Sequence, residues 1–317
     1  MNTRPPTSVL SALTHAHHCT RPTHHWHLSR NVRAFTCTAP AAQLAGTVPH
    51  HSSYIVLHTH PPPASYPAKP RSPLLRALML RARAWGGIAN FAWAETQCVH
   101  PGYAGIGEGD AWEREAYCAT AFAPDGRVLE VPEVTMENLE EVGERLREHT
   151  LGGNASEASS TNEHKIHLYV CTHGARDCRC GETGGEVEAA LRQEVAKRGI
   201  KDKVMVGSVA HIGGHKYAGN LLVFPSGDWL GTIQAIDVPN VLNEILERHE
   251  TNKLSQDYPA PLCGPFWRGR MGLDKDQQLS LYSSTDSTRF NTISCISLQP
   301  QGASGRAQSS DNNIAVR

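Results

Sequence analysis

Two short stretches of this 317-residue chain concentrate the side chains that bind soft metals. The first is Cys171-Thr172-His173-Gly174-Ala175-Arg176-Asp177-Cys178-Arg179-Cys180-Gly181. The second is His211-Ile212-Gly213-Gly214-His215-Lys216-Tyr217-Ala218-Gly219-Asn220. Thiolates are soft donors suited to iron–sulfur clusters and zinc, and neutral imidazole suits iron and zinc alike. Two Cys and two His can hold a [2Fe–2S] cluster, as in Rieske centres, where histidines replace cysteines on one iron. The same set can hold a tetrahedral zinc ion. Spacing alone leaves both open. Gly213 and Gly214 permit a tight turn whose amides could approach bridging sulfides, which zinc needs less. A true Rieske site is disfavoured, because Cys171-Thr172-His173 has no partner Cys-x-x-His box. A thiol–disulfide enzyme using Cys178 or Cys180 is a third reading, weakened by the lack of Cys-x-x-Cys and by the strain of bridging so close a pair.

Both boxes follow strand-like segments, so their loops can meet at one end of a sheet. The sequence predicts strands over Lys165–Val170 and Lys203–Val209, and between them a Gly- and Arg-rich loop to Gly185 followed by a helix over Glu186–Arg198. A hairpin is predicted from Asn220–Phe224 and Leu230–Ile233 across Pro225-Ser226-Gly227-Asp228. A last helix follows Asp237, with Val241, Leu242, Ile245 and Leu246 facing inward. This β-α-β, β-hairpin, α order is that of an α/β, thioredoxin-like domain.

The two boxes resemble the sucrase/ferredoxin-like family, thioredoxin-like [2Fe–2S] ferredoxins that include the altered-inheritance-of-mitochondria group. Arg176-Asp177-Cys178-Arg179-Cys180-Gly181, the whole second box, and Trp267-Arg268-Gly269-Arg270-Met271-Gly272-Leu273 carry the resemblance, over residues 165–278. It implies a [2Fe–2S] cluster held by Cys171, Cys180, His211 and His215, with zinc as the alternative cofactor. Cys178 stands where the family is usually not cysteine, and so competes with Cys180. Around this set, Arg176 and Arg179 either donate to cluster sulfurs or pair with Asp177 at the surface. Lys216 either tunes the centre or is solvated, and His173 is read as a loop histidine rather than a ligand. The implied role is electron transfer to an unidentified redox partner protein, by a carrier rather than a catalyst. The alternatives are a zinc-binding structural or interaction module and a thiol–disulfide redox protein.

The rest of the chain frames this domain. Residues 1–94 hold nine Lys or Arg and no Asp or Glu, leaving 21 basic and 31 acidic residues beyond them. That composition reads as a disordered leader, either mitochondrial targeting or translated upstream sequence, with a short helix at Pro73–Trp85. A cytoplasmic location is the alternative. Ten of the 18 histidines fall in residues 1–60, which suits adventitious metal binding by a tail. Residues 95–150 read as a partial N-terminal region, with a strand at Arg127–Val131 and a helix at Thr135–His149. Residues 151–163 read as a linker, 164–279 as the [2Fe–2S] domain, and 280–317 as a disordered tail. Nine scattered cysteines argue for a reducing compartment. No internal repeat is visible, no apolar run is long enough to span a membrane, and no basic patch interleaved with aromatics points to nucleic acid.

Overall fold

The computed structural model describes residues 44–103, 114–152, 165–252 and 260–293. In chain order the elements are β1 (Ser53–His58), α1 (Pro73–Ala82), β2 (Gly87–Ala94), β3 (Tyr117–Phe122), β4 (Val128–Val134) and α2 (Leu139–Leu151). There follow β5 (Ile166–Cys171), α3 (Cys178–Arg198), β6 (Val204–Val209), β7 (Leu221–Phe224), β8 (Asp228–Leu230), α4 (Val238–Asn252), β9 (Trp267–Arg270) and α5 (Lys275–Ile293). All nine strands join one sheet, in the order β4-β3-β1-β2-β6-β5-β7-β8-β9.

That order contains the same unit twice. In each half the first strand is parallel to the second and antiparallel to the third, and the fourth pairs antiparallel with the third; β9 then adds to β8 at the edge of the second half. Strands β5 to β8 with α3 and α4 make the thioredoxin-like arrangement expected, and β1 to β4 with α1 and α2 repeat it. Strands β2 and β6 join the halves antiparallel, pairing Ala92 with Val209, Trp93 with Ser208 and Ala94 with Gly207. The sequence does not show this repeat, because topology recurs while residues do not.

Side-chain alternation builds three layers. From β1, Ile55 and Leu57 pack on α1 and α2, with Leu74, Leu78, Val142 and Leu146. From β5, Leu168 and Val170 pack on α3 and α4, with Val187, Leu191, Leu242 and Ile245. The opposite faces meet in an inner core, where Tyr54, Phe122, Tyr169, Phe224 and Trp229 lie together with Cys171 and Cys180. Phe122 and Phe224 stack there across the two halves, ring centres 4.0 Å apart.

The expected leader is therefore corrected over residues 44–94, which form β1, α1 and β2. All six residues of β1 are buried. Helix α1 is capped by Ser72, whose hydroxyl accepts from the Leu75 amide at 2.9 Å. Its Leu74 amide donates to the buried carboxylate of Glu115 at 3.0 Å, and Arg81 pairs with Glu140 on α2. Residues 1–43 lie outside the described residues, as do 153–164, which carry most of the expected linker. The expected partial region at 95–150 is no separate piece either, since β3, β4 and α2 complete the first half. At the other end α5 runs through Ile293, into the expected tail: Tyr282 stacks on Trp267 with ring centres 6.3 Å apart. Residues 294–317 lie outside the described residues.

Smaller boundaries also move. Helix α2 starts at Leu139, because Thr135 and Asn138 exchange hydrogen bonds of 2.8 and 3.3 Å between side chain and amide. Strand β8 ends at Leu230, and Thr232 takes a left-handed φ of 61°. No helix among the described residues is long and apolar enough to cross a membrane.

Among the buried histidines, His51, His58 and His167 are held most firmly as neutral rings. Burial lowers His51 and His167 to about 4, and burial with the neighbouring His167 lowers His58 to about 3. An unfolded chain binds these protons below about pH 6.5 while the folded chain refuses them, so stability falls with acid. Each histidine then contributes a slope of about 1.4 kcal/mol per pH unit between its unfolded and folded values. Denaturant melts from pH 7 to 4.5 should show stability dropping through this window. A second expectation tests the correction at the N-terminal half: Leu57→Ala, fully buried in β1, should lower unfolding stability by about 2–5 kcal/mol.

Candidate metal centre

The C-terminal end of β5 carries Cys171, and the chain turns back at once into α3. That helix begins eight residues earlier than the glycine-rich sequence predicts, so Cys178 and Cys180 lie in its first turn. Asp177 is the cap: its carboxylate accepts from the Arg179 amide at 3.1 Å. Glycines that read as loop breakers serve close packing instead. A Cβ on Gly181 would stand 2.7 Å from the Gly174 Cα, and one on Gly184 would stand 2.1 Å from the Cys171 carbonyl oxygen. Only without those side chains can the start of α3 lie against the end of β5, and that contact brings Cys180 to Cys171.

The second box follows β6. Ala210 is held by two residues of β2: its amide donates to the Phe91 carbonyl at 2.9 Å, and its own carbonyl accepts from the Asn90 side chain at 3.2 Å. The next residue is His211. Beyond it Gly213 and Gly214 both take positive φ, of 81° and 66°, and the loop enters a short 3-10 turn, His215–Tyr217. Asn220 closes the loop by donating to the Gly214 carbonyl at 3.2 Å.

Three of the four expected ligands converge. A donor atom from each of Cys171, Cys180 and His211 lies within 4.8 Å of the other two. The Cys180 Sγ is 3.6 Å from His211 Nδ1. His215 stands just outside, its ring nearly parallel to that of His211 with centres 6.0 Å apart. Its Nδ1 lies 3.6 Å from Asp177 Oδ2, which leaves Nε2 as its available ligand atom. Both thiols are buried, whereas the His215 side chain is 51% exposed. The Cys171 thiol is held well below its usual value, because Cys180 hydrogen-bonds to its thiolate, with His211 and the Ile212 amide adding to the effect. Burial opposes that shift and is outweighed. The proton kept between the pair stays on Cys180, whose own value is raised by Cys171 and by burial.

The donor chemistry fits a soft metal centre. Two buried thiols and His211 already touch through hydrogen bonds that a metal would replace, and deprotonation at Cys171 is favoured in advance.

The other expected residues take supporting places. Cys178 is exposed and outside the converging group. His173 is buried with both nitrogens engaged: Nε2 donates to the Pro67 carbonyl at 3.0 Å, and Nδ1 accepts from the His211 amide at 3.4 Å. It positions His211 rather than ligating. Arg179 makes a two-pronged pair with Asp177, at 2.9 and 2.8 Å, and this contact holds the Asp177 carboxyl below its usual range. Arg176 is exposed, and the Lys216 ammonium sits 4.8 Å over the Tyr217 ring.

Arg268 lies within the Trp267–Leu273 motif, but nothing in its sequence context marks it as part of the site. Its guanidinium is buried behind the second box, donating to Asn220 Oδ1 at 2.7 Å and to Thr47 Oγ1 at 3.2 Å. It lies 4.8 Å over the Tyr217 ring, and a Cβ on Gly214 would fall 2.5 Å from its Nη2. These partners are neutral. Burial therefore lowers its value to about 10, still charged at neutral pH, with the Cys171 thiolate helping to keep it so. The neighbouring Trp267 Nε1 and Arg270 Nε both donate to the buried Asp228, at 2.7 and 2.9 Å, and anchor β9.

A sucrase/ferredoxin-like family model matches residues 44–258. The chain belongs to this family. The match begins at the first described residue and covers both halves of the sheet, whereas the motifs legible in the sequence lie in the second half alone. Family relatives include the Altered inheritance of mitochondria protein 32 of Meyerozyma guilliermondii, 32% identical over 84 residues, or 26% of this chain and 30% of that one. The protein of the same name from Debaryomyces hansenii is 37% identical over 82 residues, 24% of this chain and 29% of that one. The chain thus spans under a third of these relatives' length. Among solved structures, a thioredoxin-like [2Fe–2S] ferredoxin from Aquifex aeolicus is 17% identical and covers 26% of this chain and 86% of its own, with a TM-score of 0.24.

Arg268→Met should test how this family member supports its second box. It leaves Asn220 Oδ1 without its donor, so unfolding stability should fall by about 1–3 kcal/mol in denaturant melts.

Proposed function

We propose that the chain binds a [2Fe–2S] cluster through Cys171, Cys180, His211 and His215 and acts as a one-electron carrier. The observation that carries this reading is the convergence of Cys171, Cys180 and His211, with the His215 ring beside that of His211. A single zinc ion needs four donors around one point. A two-iron cluster spreads its donors over two metals, which suits buried thiols on one side and a histidine pair at the surface. When bound, such a cluster supplies reversible one-electron reduction. The protein's part is to hold the thiols away from water, present the imidazole side outward to a partner, and keep Arg268 behind the loop where it offsets added negative charge. Exposed Arg176 and Lys216 give the open side positive charge that suits an acidic partner surface, whereas Arg179 is answered by Asp177. We place the protein in mitochondria. The acid-free composition of residues 1–43 supports this, as does the name carried by the yeast relatives.

Anaerobic purification followed by visible spectroscopy with iron, sulfide and zinc analysis tests the cluster. The expected result is a coloured protein with about two irons and two sulfides per chain. Cys171→Ser and Cys180→Ser should lose the colour, and Cys178→Ser should keep it. A colourless protein carrying one zinc would overturn the proposal.

A further inference from the structure

The first half holds a second pair of thiols. Cys98 lies four residues past the end of β2 and is exposed, while Cys118 is buried in β3. Their sulfur atoms are 3.5 Å apart, in van der Waals contact. The approach is built in from both sides. Gln97, next to Cys98, donates from Nε2 to Thr120 Oγ1 on β3 at 3.3 Å. His100 Nε2 lies 3.0 Å from Glu133 Oε1 on β4, and its Nδ1 accepts from the Gly102 amide at 3.0 Å, so one neutral tautomer satisfies both contacts. The register of β3 on β4 slips between Tyr117 and Ala119, where Pro132 and Glu133 of the partner strand stand against the single residue Cys118. Cys98 is thus pinned over Cys118 by contacts on either side of it in sequence.

We propose that Cys98 and Cys118 form a dithiol–disulfide couple oxidised by low-molecular-weight disulfides such as glutathione disulfide. In the first step the Cys98 thiolate attacks one sulfur of glutathione disulfide, forming a mixed disulfide and releasing one glutathione thiolate, which takes up the Cys98 proton. In the second, the Cys118 thiolate attacks the Cys98 sulfur, the protein disulfide forms, and the second glutathione leaves with the Cys118 proton. Two electrons pass from the protein to one glutathione disulfide, giving two glutathiones. Exposure makes Cys98 the entry point. Burial, Cys98 itself and the carboxylates of Glu130 and Glu133 push the Cys118 thiol up to about 12, which keeps it protonated and leaves the first attack to Cys98; its 3.5 Å contact places it to resolve the mixed disulfide as its proton passes to the departing glutathione. Closing from contact to the roughly 2.05 Å of a bond needs a shift of the exposed turn, not of the sheet.

This couple is independent of the metal centre, and it uses neither Cys178 nor Cys180. The test is to equilibrate the full chain with glutathione disulfide, block remaining thiols by alkylation, and map the peptides by mass spectrometry. The expected result is a Cys98–Cys118 cross-linked peptide, two mass units lighter than the reduced pair, reversed by excess glutathione. Cys98→Ser should abolish it with the fold intact, because the side chain is exposed. Cys118→Ala should leave a stable glutathione adduct on Cys98, and Cys178→Ser should change nothing. The proposal falls if both thiols stay open to alkylation, or if wild-type Cys98 accumulates as an unresolved glutathione adduct.

Discussion

The short antiparallel seam between β2 and β6 is the constraint on which the site depends. Only three residue pairs make it, yet it aligns Ala92 with Val209, and through them His58 with Cys171, in one row across four strands. The C-terminal ends of β1 and β5 consequently fall on one row near the middle of the sheet, with β2 and β6 between them. Loops leaving those ends are forced into contact. Pro67 from the first binds His173 in the second, Tyr66 packs edge-on to the same ring, and β2 holds Ala210 one residue before His211. The first half thus positions His211, which belongs to the Cys/His group of the second. Cutting the chain at residue 94 into a leader and a separate domain would remove that support.

How much of this was legible in the sequence follows from where each residue's partners lie. The two boxes, β5, β6 and the C-terminal stop of α3 were readable because their signals are local: alternation, spaced donors, and Gly199 in the left-handed conformation. The N-terminal half was not. Strand β1 is buried on both faces, as β5 and β6 are, but no box of spaced donors follows its run Ser53-Tyr54-Ile55-Val56-Leu57-His58 to mark it. Its lack of acidic residues looked like a leader because the carboxylates that serve it come from later in the chain. Glu115 completes the start of α1, and Glu140 on α2 pairs with its Arg81. Similarly, Gly181 and Gly184 read as breakers because the surfaces that require them, Gly174 and the Cys171 carbonyl, are contacts in space.

Charge inside the molecule is handled unevenly, and the unevenness points at the site. Arg270 is matched to Asp228, both almost fully buried, and is structural. Arg268, two residues away and equally buried, is given only neutral acceptors. A buried cation without an acidic partner is costly unless negative charge is nearby. Tyr217 and then Cys171, whose thiolate is favoured by its own hydrogen bonds, meet this need, and the guanidinium lies over the Tyr217 and Trp229 rings. Burying the thiols and the guanidinium together makes each less expensive.

The repeat sharpens what is special about the second half. His58 ends β1 at the place where Cys171 ends β5, so the two halves offer the same vantage point with different chemistry. His58 is outside the converging donor group: its Nε2 lies 2.8 Å from Thr120 Oγ1, and Thr120 in turn donates to Glu130. It also lacks what Cys171 has, a helix start with a thiol packed against it. Helix α1 begins after a long loop at Ser72–Pro73, whereas α3 begins at once under Asp177 and carries Cys180 into contact. The duplicated architecture therefore supplies two strand ends at one seam, and the length of the connection to the following helix decides which of them can gather ligands.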